Sequence, residues 1–110
     1  MSYVPDRGDI VWTNFNPQAG HEQAGDRPAI VLSRRIFNEP SGLALFCPIT
    51  GRQKGYPFEV SLPTGYDVYG VILVDHVKSL DWQARTVTFI AKAPESVLAD
   101  VLDRLDVLIQ

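Results

Sequence analysis

The sequence predicts a mostly β domain, a small twisted barrel or sandwich of about six short strands, followed by one C-terminal α-helix. Three observations carry this reading. Runs rich in Val, Ile, Thr and Phe alternate with Gly and Pro punctuation along most of the chain, as strands joined by tight turns do. Only the final segment changes to a three-to-four spacing of apolar residues. The 110 residues are 45% apolar and 21% charged, ordinary globular composition for one domain over 1–110 and too short for two full cores.

Ile10 to Phe15 follows Gly8-Asp9 and is the first expected strand. Ala29 to Leu32 and Leu43 to Cys47 are apolar enough for burial on both faces, which hides any period of two. Ser33 is expected to cap a short helix from Arg34 to Asn38. Pro48 should break ladder pairing and leave Thr50 at a strand end or bulge. Phe58 to Leu62 alternates, Gly70 to Val77 is a long aliphatic run, and Arg85 to Ile90 alternates again. On a strand, Asp75 and His76 would point to opposite faces. Pro94 suits a first helical position and Glu95 the positive helix end. Val97, Leu98, Val101, Leu102, Leu105, Leu108 and Ile109 then recur at three-to-four spacing, with Asp100, Asp103, Arg104 and Asp106 on the other face. Cys47 is expected to fill core, and Trp12 and Trp82 to serve core or a dimer surface.

Two loops break the pattern. Asn16 to Asp26 is eleven residues without periodicity and contains His21 and Glu22. Gly51 to Pro57 holds Arg52 and Lys54 among turn formers.

Formal net charge is −3, and all of it lies from Glu95 to Gln110, which carry four acids and one base. From Arg27 to Lys54 there are five bases and one acid, a stretch of +4 open to an anionic partner. No apolar run approaches the ~18 residues of a membrane span, so no membrane partner is expected. No signal peptide is readable, and a single cysteine fits a reducing cytosol.

Phosphate-cradling and dinucleotide-binding glycine motifs are absent. One Cys and two separated His make no zinc pattern, and no carboxylate cluster suggests a two-metal site. Neither cofactor nor metal is expected. Chemistry must then run on Arg, Thr, His and backbone dipoles. That set suits metal-free RNA cleavage, where the substrate's own 2′-hydroxyl attacks. Such an enzyme needs proton transfer at two oxygens and a donor for phosphoryl charge. Arg supplies the donor well, through its planar fork.

Gly8-Asp9-Ile10-Val11-Trp12, Gly20 to Gly25, Arg27-Pro28-Ala29-Ile30-Val31-Leu32-Ser33, Pro48-Ile49-Thr50 and Lys54 to Val60 resemble the MazF/PemK toxins, endoribonucleases of toxin–antitoxin systems. The resemblance runs from Gly8 to the final helix. It implies an SH3-like barrel of the CcdB/PemK-like toxin fold and a homodimer. It also implies metal-independent cleavage of single-stranded RNA, leaving 2′,3′-cyclic phosphate and 5′-hydroxyl ends. By resemblance, Arg27 is the main catalytic residue, joined by Thr50 and His21. Glu22, Arg52, Lys54, Tyr56 and Asp75 are expected at the substrate. Where the family usually has Gln, this chain has His76, and Leu73 stands where the PemK branch has Arg. The resemblance therefore favours a mechanism on Arg27 and Thr50. It also implies a cognate antitoxin, expected to present an acidic, extended segment that mimics RNA.

Two other classes compete. A non-enzymatic gyrase poison resembling CcdB would need a C-terminal Trp-Gly-Ile-type end, whereas this chain ends Leu108-Ile109-Gln110. An SH3-like binding module would tolerate Arg27 and Thr50 without requiring them.

Overall fold

The structure is a computed structural model that describes residues 3–16, 20–21 and 25–110. Glu22 therefore lies outside the described residues. The elements run β1 (Asp9–Asn14), β2 (Asp26–Val31), α1 (Arg35–Ser41), β3 (Leu43–Thr50), β4 (Glu59–Ser61), β5 (Val71–Leu73), a 3₁₀ turn (Val74–His76), β6 (Lys78–Asp81), β7 (Thr88–Lys92) and α2 (Glu95–Ile109). Seven strands pair antiparallel in the order β4-β5-β3-β2-β1-β7, and β6 joins along the first half of β3.

The core explains why the early strands lack alternation. Ile10, Ile30, Leu32, Cys47 and Ile72 pack on one side with Val97 and Val101 of α2. Val11, Ala29, Val31, Phe46 and Trp82 form a second cluster on the other. Neighbours such as Ile10 and Val11 thus serve opposite faces, and both faces are dry. Cys47 is fully buried, as expected of a core filler, and burial pushes its thiol up to about 12. Trp82 is buried and donates its indole N–H to the Asn38 carbonyl at 2.9 Å, whereas Trp12 is exposed.

Several local expectations are corrected. β3 continues through Pro48 to Thr50. One edge of β3 pairs β6 up to Phe46 and β5 from Ile49, so Pro48 sits where that edge changes partner and has no ladder bond to lose. Ser33 does not cap α1. Its hydroxyl donates to Asn38 Oδ1 at 2.6 Å, while the Asp6 carboxylate takes the Arg35 N–H at 2.8 Å from a different loop. The run from Gly70 to Val77 is not one strand, because β5 stops at Leu73 and the chain turns. β6 has no counterpart among the expected strands. The C-terminal helix is present as expected, with Val97, Leu98, Val101, Leu102 and Leu105 packed into the first cluster, whereas Leu108 and Ile109 are exposed.

Candidate active site

The pairing of β2 with β3 sets Ala29 opposite Pro48 and Val31 opposite Phe46. Extended by two residues, that register sets Arg27 opposite Thr50. Pro28 holds the backbone at Arg27 extended, so the arginine is delivered at a strand start and not lost in a turn. Its Nη1 donates to the Ile49 carbonyl at 3.5 Å. Arg27 and Thr50 share a groove of about 460 Å³ with Trp12, Asp67 and Tyr69.

Thr50 also borders a second cleft, of about 310 Å³, on its other side. That cleft collects His21, Arg52, Lys54 and Tyr56 around Glu59, Leu73 and His76. The cationic loop is built on Thr50 itself, whose Oγ1 accepts the Arg52 N–H at 3.3 Å. A smaller cleft of about 200 Å³ adjoins through His21 and His76 and is bordered by Phe15, Asp75 and Lys78. Thr50 is therefore common to both, bordering the groove with Arg27 and the cleft with His21, Arg52 and Lys54.

Asp75 and His76 do not point to opposite faces. The 3₁₀ turn, closed by the Val77 N–H on the Val74 carbonyl at 3.3 Å, aims both at the smaller cleft. Asp75 accepts the Tyr56 hydroxyl proton at 2.8 Å. Burial, then that bond and the Asp75 charge, push the Tyr56 phenol up to about 12.

Sequence reasoning missed three contributors. Glu59 borders the larger cleft and accepts the backbone N–H groups of Lys54 and Gly55. His76 borders both clefts. Arg85 donates to the carbonyls of Asn14 and Asn16 and so secures the root of the long loop. The same root is cross-tied by Phe15 N–H to the Gly25 carbonyl at 3.0 Å and by Asn14 to Asp26 at 2.7 Å. Glu59 lay in the Lys54 to Val60 stretch and His76 was set against the family's Gln, but neither was assigned to the site. Glu59 acts through backbone N–H groups, and Arg85 through carbonyls distant in sequence.

The +4 stretch divides between two faces. Arg52 and Lys54 border the larger cleft and Arg27 the groove. Arg34 borders an apolar groove beside α1, and Arg35 pairs with Glu39 at 3.6 Å. Among the described residues, no group of three or more His, Cys, Asp or Glu is placed to hold a metal ion. No described helix is long and apolar enough to cross a membrane.

Fold and site together define a small, mostly β protein with one C-terminal helix and a cleft that gathers His21, Arg52, Lys54 and Tyr56. Residues 6–109 match the family of PemK-like, MazF-like toxins of type II toxin-antitoxin systems, and the chain belongs to that family. It is 46% identical over 107 residues to the endoribonuclease toxin MazF of Escherichia coli K12, covering 97% of this chain and 96% of that protein. It is 40% identical to the endoribonuclease toxin ChpB of the same strain, covering 96% of this chain and 94% of that protein. A crystal structure of MazF from Deinococcus radiodurans superposes with a TM-score of 0.95 at 55% identity, over 98% of both chains. MazF in a MazE-MazF crystal structure from the same organism superposes at 0.87 and 48% identity, over 98% of this chain and 97% of that one.

Proposed function

We propose that the chain is the toxin of a type II toxin–antitoxin system, a sequence-specific endoribonuclease that cuts single-stranded mRNA and thereby stops translation and growth. The reading draws on family membership over residues 6–109 and on the endoribonuclease relatives. The observation that carries the chemistry is the β2–β3 register, which puts Arg27 opposite Thr50 beside a cationic cleft. The 2′-oxygen of the substrate attacks phosphorus, and the bond to the 5′-oxygen breaks. A 2′,3′-cyclic phosphate and a 5′-hydroxyl result. One proton leaves the 2′-hydroxyl and one is delivered to the departing 5′-oxygen. Arg27 serves as a donor to phosphoryl oxygen, since a guanidinium carries only N–H donors and no acceptor. His21, at the junction of both clefts, is the group of this set suited to move a proton. Arg52, Lys54 and Tyr56 hold the strand, with Asp75 fixing Tyr56. Glu22 is assigned to the substrate by family resemblance alone.

The protein acts in the cytoplasm, where mRNA is translated, as a homodimer restrained by a cognate antitoxin. That partner is expected to bring an acidic segment that competes with RNA. The gyrase-poison alternative is disfavoured, since the relatives matched over nearly their full length are endoribonucleases.

The test incubates purified protein with long single-stranded RNA in EDTA and maps the ends. Cleavage is expected to persist in chelator and to leave 5′-hydroxyl ends. RNA with a 2′-deoxy nucleotide at the cut should resist. Activity lost in EDTA and restored by Mg²⁺ would overturn the 2′-hydroxyl mechanism.

A further inference from the structure

The loop between β3 and β4 has a fastening that the proposed chemistry does not use. Glu59 opens β4 and turns its carboxylate back onto the loop. Its Oε1 accepts the Gly55 N–H at 2.8 Å, and the Lys54 N–H reaches Oε2 at 3.0 Å and Oε1 at 3.2 Å. Gly55 stands at φ +81°, in the left-handed region. Two successive N–H groups converging on one anion make the kind of backbone nest that binds phosphate elsewhere. Here the anion comes from the chain itself. The Glu59 N–H closes the turn by bonding the Tyr56 carbonyl at 3.1 Å. Every side chain that the loop offers to the cleft, Arg52, Lys54 and Tyr56, hangs from this backbone.

We propose that Glu59 is a positioning residue whose carboxylate fills the nest at Lys54 and Gly55 and thereby sets the RNA-gripping loop in its binding geometry. This rests on the reading of the cleft as an RNA site. The chemistry gives it a distinctive signature. Glu59→Ala empties the nest but leaves its N–H groups in place, so a small carboxylate such as formate can re-enter. Glu59→Gln keeps one acceptor oxygen and turns an amide donor toward the other N–H, so it preserves part of the fastening. Arg27 and Thr50 stand on strands and are not hung from this loop, so the defect should fall on binding and not on the chemical step.

The experiment measures cleavage of one oligonucleotide by wild type, Glu59→Ala and Glu59→Gln, with sodium formate titrated against sodium chloride at equal ionic strength. Charge-assisted bonds lost from a site-forming loop predict KM raised ~10-fold or more in Glu59→Ala, with kcat near wild type. Glu59→Gln should fall between, and formate should lower KM for Glu59→Ala alone. Amide exchange followed by NMR without RNA gives a readout independent of activity. Lys54 and Gly55 should exchange faster in Glu59→Ala and slow again with formate. Unchanged KM and exchange in both variants would overturn the proposal. So would a loss confined to kcat, which would make Glu59 part of the chemistry. Should Glu59→Ala not fold, Glu59→Gln decides: raised KM and faster exchange support the proposal, and wild-type values of both overturn it. Absence of cleavage by wild type would defeat the RNA reading, while the exchange data would still decide the nest.

Discussion

Arg27 is placed by its neighbour and by a register. Pro28 confines it to extended backbone, and the β2–β3 ladder brings it opposite Thr50. A preorganised donor to a phosphoryl group is worth ~10²–10³ in rate, so Arg27→Ala should cut kcat/KM by that factor with the fold retained by circular dichroism. Arg27→Lys should stay poor, because an ammonium is a point charge without the fork. Retention of more than about a tenth of the activity in Arg27→Ala would remove it from the chemistry. Tyr56 makes a pH-dependent prediction. Its pKa is raised from 10 to about 12, so the folded state holds the phenolic proton more tightly than the unfolded chain does. Its contribution to stability is therefore complete below pH 10 and disappears as pH rises toward 12. The stability difference between wild type and Tyr56→Phe, followed by urea unfolding, should shrink over that window. A difference constant through it would mean that burial and the bond to Asp75 do not raise the phenol in the folded state. The strand-start position of Arg27 was legible in the sequence, because Arg-Pro before an apolar run is a local pattern. Glu59 stood in the quoted Lys54 to Val60 stretch without a role, because its partners are backbone N–H groups, and every residue but proline has one.

At the scale of elements, the turn after β5 decides which side chains the site receives. Val71 to Val77 is aliphatic apart from Asp75 and His76, and it has the composition of a buried strand. Only tertiary contacts end it at Leu73. The Val74 N–H bonds the Phe58 carbonyl at 3.0 Å, and the chain then tightens into a 3₁₀ turn that sends Asp75 and His76 to one cleft. Helix α2, by contrast, was legible from its spacing, since an apolar stripe with acids opposite has one good way to pack. The position of β5 against Thr50 depends on Gly70. It sits at φ +125°, and a Cβ there would come 2.3 Å from the Thr50 carbonyl oxygen. Gly70→Ala should therefore push β5 away from Thr50 and destabilise by about 3 kcal/mol, combining backbone strain with the clash. Gly65 has φ +82° but nothing within 4 Å of its would-be Cβ, so Gly65→Ala should cost only about 1 kcal/mol. Cleavage should fall in Gly70→Ala and hold in Gly65→Ala. Equal losses of stability and of cleavage at both sites would show that the approach to Thr50 has no special weight.

Across the whole molecule, charge and apolar surface are separated. The cationic clefts gather at one end of β3, while the acids of α2 account for the net charge. RNA binding should weaken steeply with salt even though the chain is acidic overall. On another face, Ile36 and Phe37 of α1 rim a groove of about 470 Å³ floored by Leu32, Leu45, Leu102 and Leu105. Ile36 is 83% exposed and Phe37 49%, an exposure that isolated chains seldom present beside an apolar groove. A second copy of the chain is the occupant that the proposed homodimer supplies. Because Ile36 and Phe37 contribute little to the folded chain's own core, replacing both with Asp separates association from folding. Each apolar side chain is worth about 1.5–3 kcal/mol when fully covered, so losing both should weaken the dimer by ~10²-fold or more. Sedimentation at micromolar concentration should give the dimer mass for wild type and the monomer mass for the double variant. Thermal unfolding should show the variant's monomer folded. A wild type that sediments as a monomer and cuts RNA at full rate would place the whole site within one chain and leave the face around Ile36 without this role.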